Sequence, residues 1–186
     1  METKDEVLLR SLVEFYEAHP QALWKVTRVL HEAVISLRVL DWFVTNYAKR
    51  LNIVYPMSKG PETRSFNVYL EYRSMLKGYS KKYFDPFSRR TRVTFRGADG
   101  KDLETTLGQL NFFRWATTNG VLDYTLEHAA EVERDMLHSL QKSGRQGATN
   151  ENDEESSMQR AKRRELSKAA IRSMTHTKLV LTLRFT

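Results

Sequence analysis

The sequence contains no cysteine, which excludes disulfide bonds and thiolate metal sites. Proline and glycine are also scarce, with four and eight residues among 186. No segment approaches the roughly 18–20 uncharged apolar residues that a membrane-spanning helix needs. The amino terminus, METKDEVLLRSLVEF, is charged and lacks the apolar core of a secretory signal. We therefore predict a protein that folds by packing alone, with no membrane span and no disulfide.

Positive charge is abundant. Thirty lysine and arginine residues face 23 acidic ones, which gives a formal net charge of +7. Such a balance favours binding to anionic partners, either nucleic acid or acidic protein surfaces, although a solvated basic face is the simpler alternative. A hydrophobic content of 40% is enough for one domain with a real core.

The N-terminal half has the apolar spacing of helices. Helical periodicity predicts one helix over residues 5–18 and a second over residues 21–32. Ser36 is a suitable N-cap for a third helix, LRVLDWFVTNYAKRL. In the second helix, the residues expected to point inward are Leu23, Trp24, Val26, Val29 and Leu30.

The central region mixes strand and helix patterns. A short strand is predicted at residues 52–55, and the alternation of apolar residues predicts another over 66–72. A helical turn at 74–83 should end at Asp85-Pro86. Segments 92–95 and 101–104 are expected to form a hairpin around Asp99-Gly100.

Two further helices are expected to complete the core. Thr106 and Gln109 have the spacing of a capping box, which predicts a helix over residues 107–118 that Gly120 terminates. A last core helix is predicted over residues 121–140. The fold class is thus α+β, with a helical N-terminal half, a small mainly antiparallel sheet, a helical pair and a C-terminal strand.

A polar segment divides the chain. Residues 142–157, KSGRQGATNENDEESS, contain no apolar anchor and predict a flexible linker or surface loop. The predicted organisation is an α+β core domain at 1–141, this linker at 142–157, and a basic helix plus a strand at 158–186. The terminal strand, within residues 178–185, must pair with the core sheet or with another chain's edge, and we favour pairing within the chain.

No constellation of catalytic residues is legible. The five histidines include no pair at metal-ligand spacing, and neither a Gly-rich phosphate loop nor a GxSxG motif occurs. Asp41, Asp85 and Asp123 are isolated carboxylates with ordinary roles as caps, turn residues or surface charges. We therefore predict a protein that is not an enzyme, with no catalytic residues, no cofactor and no metal.

Two basic clusters are the candidate binding surface for a partner or a polyanion. The first lies in KGYSKKYFDPFSRRTRVTFR and the second in the predicted basic helix, where preceding acids could simply screen it. Most aromatic residues of the first cluster are expected in the core, with Phe84 and Phe87 as anchors for the loop. The candidate residues are Lys77, Lys81, Lys82, Arg89, Arg90, Arg92, Arg160, Lys162, Arg163, Arg164 and Lys168.

Four segments together resemble an uncharacterised protein family of large nucleocytoplasmic DNA viruses, of the chlorovirus and mimivirus kind. They are ISLRVLDWFVTNYAKR, FNVYLEYRSMLKGYSKKYFDPFSRR, TTLGQLNFFRWATTNGVLDY and KRRELSKAAIRSM. The resemblance carries no catalytic or binding residues with it.

The resemblance implies a viral protein made in an infected eukaryotic cell. On this basis we expect a virion structural protein, such as a minor capsid component, whose partners are other virion proteins. The alternative is a basic factor that binds DNA or RNA for packaging or transcription. Its expected location is the virion, and the host cytoplasm or nucleus during assembly.

Overall fold

Eight α-helices, a π-helical turn and five strands make up the described part of the chain, which in the computed structural model is residues 2–59, 62–96, 102–146 and 179–181. This architecture confirms the predicted α+β class. The helices are α1 Lys4–Ala18, α2 Pro20–His31, α3 Leu37–Trp42, α4 Ala48–Leu51, α5 Val68–Tyr83, α6 Leu107–Thr118, α7 Val121–Glu127 and α8 Ala129–Gln146. The strands are β1 Val54–Lys59, β2 Glu62–Asn67, β3 Arg92–Arg96, β4 Asp102–Thr106 and β5 Leu179–Leu181.

The two N-terminal helices were placed correctly by their periodicity. Thr3 and Glu6 form a reciprocal capping box at the start of α1, which satisfies two backbone donors. Tyr16 is fully buried, and its hydroxyl donates to the carbonyl of Leu110 in α6 at 2.8 Å. Helix α1 is therefore fixed to the centre of the molecule rather than lying free at its end.

One residue of α2 contradicts the predicted inward set. Trp24 is 58% exposed, whereas its neighbour Leu23 is buried. The buried residues Leu23, Val26 and Val29 define the inner face of α2, and Trp24 lies about 100° around the axis from Leu23, outside that face. Trp24 instead packs beside Arg28, whose guanidinium lies 4.9 Å from the ring centroid.

The predicted third helix is continuous but not uniform. Ser36 caps it as expected, accepting a hydrogen bond from the Val39 amide at 3.1 Å. A π-helical turn, Phe43–Tyr47, separates α3 from α4. The helix ends at Asn52, which adopts a left-handed conformation with φ of 49°. The π turn has no signature in the sequence, because its buried side chains, Phe43, Val44 and Tyr47, continue the apolar face of the helix.

The strand predicted over residues 66–72 is wrong beyond Asn67. There the side chain of Asn67 accepts a hydrogen bond from the Leu70 amide at 3.0 Å and caps α5. Val68 and Tyr72 are buried at a helical spacing of four, while Leu70 is 64% exposed. The alternating apolar residues thus also fit a helical repeat, and the N-cap Asn67 favours the helix over the strand.

Two small sheets complete the fold. Strands β1 and β2 form an antiparallel pair, and the other sheet has the order β4-β3-β5. The antiparallel pairing of β3 with β4 confirms the predicted hairpin, although its Asp99-Gly100 turn lies outside the described residues. Strand β5 pairs in parallel with β3, with Val93 opposite Leu179, so β5 lies in the sheet of its own chain.

Helix α6 is the centre of the core. Thr106 caps it as predicted, accepting from the Gln109 amide at 3.2 Å. Its side chains pack in an aromatic cluster of Tyr72, Phe84, Phe112 and Trp115, with ring centroids 5.4–6.5 Å apart. Such ring pairs stabilise beyond their buried area.

The last predicted core helix is divided. Helix α7 ends at Glu127, and His128 is its C-cap. The backbone N–H and the ring Nδ1 of His128 both lie within hydrogen-bond distance of the Tyr124 carbonyl. Helix α8 begins at the next residue, Ala129. Helix α8 continues to Gln146, into the segment predicted as a linker. The rest of that linker and the predicted basic helix lie outside the described residues.

Candidate functional site

The first basic cluster surrounds the 84–91 loop, which joins α5 to β3. Helix α6 holds this loop from one side: Gln109 Nε2 donates to the Pro86 carbonyl at 2.8 Å, and Thr106 Oγ1 donates to the Ser88 carbonyl at 3.1 Å. Asp85 shapes the turn, because its carboxylate accepts from the Phe87 amide at 2.8 Å. The loop is therefore a built feature that presents Arg89 and Arg90 from a fixed base.

Asp5 of α1 holds the loop from the other side. Its carboxylate accepts hydrogen bonds from Lys82 at 3.2 Å, from Thr91 at 3.1 Å and from the hydroxyl of Tyr83. Partial burial raises the pKa of Asp5, but these hydrogen bonds outweigh it and hold that pKa below its usual value. An anionic Asp5 is thus the junction between the N-terminal helix and both ends of the loop.

The structure divides the six cationic residues of the first cluster into two kinds. Lys82 pairs with Asp5, and Arg92 lies 3.9 Å from Glu104 across the β3–β4 ladder. The other four are exposed and have no ion-pair partner within the described part of the chain. These four, Lys77, Lys81, Arg89 and Arg90, are called the free basic set below.

The aromatic residues of this cluster also differ. Tyr83 and Phe84 are buried and Tyr79 packs against the core, as predicted. Phe87 is 46% exposed, so its prediction as an anchor is wrong. The loop is anchored through Phe84 and through hydrogen bonds to α6, which leaves Phe87 beside the exposed arginines.

The second basic cluster cannot be placed. Its five candidate residues lie outside the described residues, so they remain predictions from the sequence. They are Arg160, Lys162, Arg163, Arg164 and Lys168.

Two carboxylates that seemed isolated in the sequence lie near one another. Burial, and next the charge of Asp85, raise the pKa of Asp41, while Lys81 opposes them. Burial, together with both carboxylates, raises the pKa of Tyr72 to about 12. In the described part of the chain, no group of three histidine or acidic residues could hold a metal ion. Asp41 therefore has a raised pKa beside Asp85, and the two carboxylates belong to no group of three that could hold a metal ion among the described residues.

A groove of about 420 Å³ lies between β1 and the region where α6 turns into α7. Tyr55 and Tyr124 form part of its wall and stack at 5.7 Å, and the Tyr55 hydroxyl donates to the Asn119 carbonyl at 2.7 Å. Asp123 and Glu127 supply its charged residues. Sequence reasoning missed this groove, because its walls are far apart along the chain and no local motif marks them.

Asp123 and Glu127 differ in their pairing. Asp123 is bound by Lys25 of α2 at 2.6 Å, whereas Glu127 is exposed and forms no ion pair with another described residue. Burial, then the charges of Glu131 and Glu127, raise the pKa of Tyr124. The groove is therefore acidic in a chain whose formal net charge is +7.

Comparison with known proteins supports the resemblance to viral proteins. The chain is 43% identical over 117 residues to "Uncharacterized protein L507" of Acanthamoeba polyphaga mimivirus. That match covers 60% of this chain and 45% of the mimivirus protein, so it spans less than half of the relative's length. It identifies the chain as a viral protein and confirms the predicted likeness to a family of large DNA viruses.

The remaining comparisons fix the family but not an activity. No solved structure matches the chain. Among the described residues, no helix is both long enough and apolar enough to cross a bilayer. The profile of the protein family described as "Family of unknown function (DUF7197)" matches residues 2–184, nearly the whole sequence, and the chain therefore belongs to this family.

Proposed function

We propose that the protein is a non-enzymatic structural component of a virion, in the manner of a minor capsid protein, which binds neighbouring virion proteins. It would occur in the particle, and in the host cytoplasm or nucleus during assembly. The observation that carries this proposal is the exposure of Trp24 on the outer face of α2. Tryptophan is highly buried on average, and here the exposed ring lies against Arg28, so the two side chains form one surface suited to a protein partner.

The neighbours of Trp24 support a protein partner. Trp24, Arg28 and Glu32 follow one another at intervals of four and so lie along one stripe of the helix. Arg28 stacks on the indole and pairs with Glu32 at 3.0 Å, which holds both side chains in place before any partner arrives. Tryptophan and arginine are the residue types most enriched at the energetic centres of protein interfaces.

The terminal strand supports the same choice of surface. Since β5 pairs with β3 of its own chain, it is not needed to join neighbouring subunits. The outer helices α1 and α2 are therefore the elements that we propose to join this protein to its neighbours in the particle. Both α1 and α2 are anchored to α6 or α7, through the Tyr16 hydroxyl and through the ion pair of Lys25 with Asp123.

The test of this proposal is recruitment into particles. We expect Trp24→Ala to reduce incorporation into purified virions strongly, because truncating a central aromatic residue costs roughly 2 kcal/mol or more, about 30-fold in affinity. The measurement is a quantitative protein inventory of particles before and after the outer shell is stripped. Leu137→Ala is the matched control, since Leu137 is 50% exposed on α8, away from this stripe.

Two outcomes contradict the proposal. One is that the unmodified protein is absent from purified particles. The other is that Trp24→Ala and Leu137→Ala are incorporated equally well, although circular dichroism shows both variants folded.

A second candidate function is nucleic-acid binding, and the free basic set favours it. Its four exposed cations form no ion pair with another described residue, and the exposed Phe87 lies in the same loop as Arg89 and Arg90. Loops that carry arginine and an aromatic residue suit a flexible anionic strand, because the arginines bind phosphate and the ring stacks on a base. Lys82 and Arg92 of the predicted first cluster already have acidic partners, which supports choosing the other four as the phosphate-binding residues.

Salt dependence tests this second function. We expect the double variant Arg89→Ala and Arg90→Ala to lower the slope of log affinity against log salt by about 1.4 on a single strand and about 1.8 on duplex DNA, since each lost phosphate contact removes about 0.7 or about 0.9. The control is Arg10→Ala, because Arg10 already pairs with Glu2 at 2.8 Å. Failure of the unmodified protein to bind duplex or single-stranded DNA or RNA at roughly 0.15 M salt would exclude this function.

A further inference from the structure

Strand β1 has one edge on which no other strand lies within the described part of the chain. The Val68 amide donates to the Ile53 carbonyl at 3.2 Å, and the same register places Tyr55 opposite Phe66. In an antiparallel ladder, every second residue turns both backbone groups toward the partner strand. Ile53, Tyr55 and Met57 therefore turn their backbone groups toward β2. The alternate residues, Val54, Pro56 and Ser58, direct theirs outward.

The chemistry of this outer edge is unequal. Proline has no backbone N–H, which explains why Pro56 is tolerated at an outward position of an edge strand. The edge thus offers three carbonyl acceptors but only two amide donors, at Val54 and Ser58. Donor groups of an incoming segment are favoured over acceptors at its centre.

The acidic groove runs beside this edge. Pro56 and Ser58 line it from β1, while Asp123 and Glu127 line it from α7. Asp123 is already paired with Lys25, so Glu127 is the groove carboxylate that has no ion pair with another described residue. A segment lying along β1 would direct alternate side chains to the same face, and a cation among them would lie near Glu127.

We propose that this groove binds an extended basic segment of a partner protein, which adds as a strand to the outer edge of β1 and places a lysine or arginine beside Glu127. Main-chain hydrogen bonds to the edge provide affinity in this mode of recognition, and side-chain contacts in the groove provide specificity. Nucleic acid does not fit, because its phosphates would meet the carboxylate of Glu127.

The groove is a second surface with its own partner chemistry, and it does not depend on the α2 stripe. The groove is built from β1 and α7, whereas Trp24 lies on α2. Failure of Trp24→Ala to alter particle recruitment would leave the groove untouched. Conversely, failure of the groove to bind a basic peptide would not contradict the proposed function of the α2 stripe.

The first test is peptide binding measured by fluorescence anisotropy. The probe is a labelled peptide of roughly eight residues in which lysine and threonine alternate, and the reference peptide replaces lysine with glutamate. We expect the lysine peptide alone to bind, with an affinity that falls as salt rises. Glu127→Lys should weaken this binding about tenfold, because it replaces an attraction by a repulsion near the surface.

The matched control for that variant is Glu17→Lys. Glu17 is exposed near the end of α1, so the substitution makes the same change in net charge away from the groove. A lysine there also lies favourably at the helix C-terminus, which protects the control from unfolding. Equal weakening by Glu127→Lys and Glu17→Lys would overturn the proposal, and so would equal binding of the two peptides.

The second test separates strand addition from simple charge attraction. In the free protein, the amides of Tyr55 and Met57 should exchange slowly because they bond to β2, while those of Val54 and Ser58 should exchange quickly. Adding the lysine peptide should slow exchange at Val54 and Ser58 without altering the other two. Binding that leaves the Ser58 amide unprotected would show that no strand is added, which contradicts the inference.

Discussion

Replacing Phe84 with alanine is expected to lower the free energy of unfolding by about 3–5 kcal/mol, the usual cost of removing a buried phenylalanine ring. Phe84 is fully buried and contacts Tyr72, Phe112 and Trp115, with ring centroids within 6 Å. Removing the ring would open a cavity between α5 and α6, whose walls are held by helix packing. Urea denaturation at equilibrium measures the loss, and an unchanged m value would confirm that only stability has changed.

The control for this variant is Phe87→Ala. Phe87 stands at the other side of Asp85-Pro86 and is 46% exposed, so its loss should cost less than about 1 kcal/mol. The pair has the same side chain, in the same loop, and differs chiefly in burial. Equal destabilisation by the two substitutions would show that Phe87 packs in the core in solution, contrary to the structure.

The burial of Phe84 and the exposure of Phe87 could not be predicted from the sequence. Both phenylalanines flank the same turn, and no local pattern distinguishes the one that enters the core. The difference arises from α6, whose Gln109 binds the Pro86 carbonyl and whose Phe112 packs on Phe84. The starts of α3 and α6 could be predicted from the sequence, because the caps Ser36 and Thr106 each bind an amide only three residues further along the chain.

Failures at the level of elements have the same physical origin. The apolar residues of the 66–72 segment repeat with a period of two, as in a strand, and partly with a period of four, as in a helix. They are Phe66, Val68, Leu70 and Tyr72. The Asn67 cap and burial against α6 select the helix. On α2, apolar character alone predicts that Trp24 is buried beside the core stripe. Trp24 is large enough to stack on Arg28 at the surface instead.

The ion pairs of the first basic cluster could not be predicted from the sequence. The sequence identifies every cation of the first cluster, yet Lys82 is neutralised by Asp5, which precedes it by 77 residues. Arg92 lies near Glu104 only because the β3–β4 ladder places Arg92 opposite Thr106, so that Glu104 is a diagonal neighbour. Long-range pairing therefore decides which basic residues remain free, and the acidic groove depends on long-range contacts throughout.

Gly108→Ala is expected to destabilise the protein by about 3 kcal/mol, at the upper end of the usual cost of overpacking. A Cβ at this position would lie 2.6 Å from Ser88 Oγ, 2.7 Å from Ser88 Cβ and 2.9 Å from the Lys82 carbonyl oxygen. The higher helix propensity of alanine returns at most about 1 kcal/mol. The clash also pushes on the bond from the Asp85 amide to the Gly108 carbonyl, so the 84–91 loop should move away from α6.

A second substitution locates the cause. Ser88→Gly removes two of the three close contacts and leaves the Lys82 carbonyl, so it should restore part of the stability in the Gly108→Ala background. Thermal unfolding of the two single variants and the double variant gives their coupling energy, which should be at least about 1 kcal/mol because the residues touch. Strict additivity would mean that Gly108 is not pressed against the loop. Partial rescue would show that the absence of a side chain in the first turn of α6 is what lets the basic loop lie against the core.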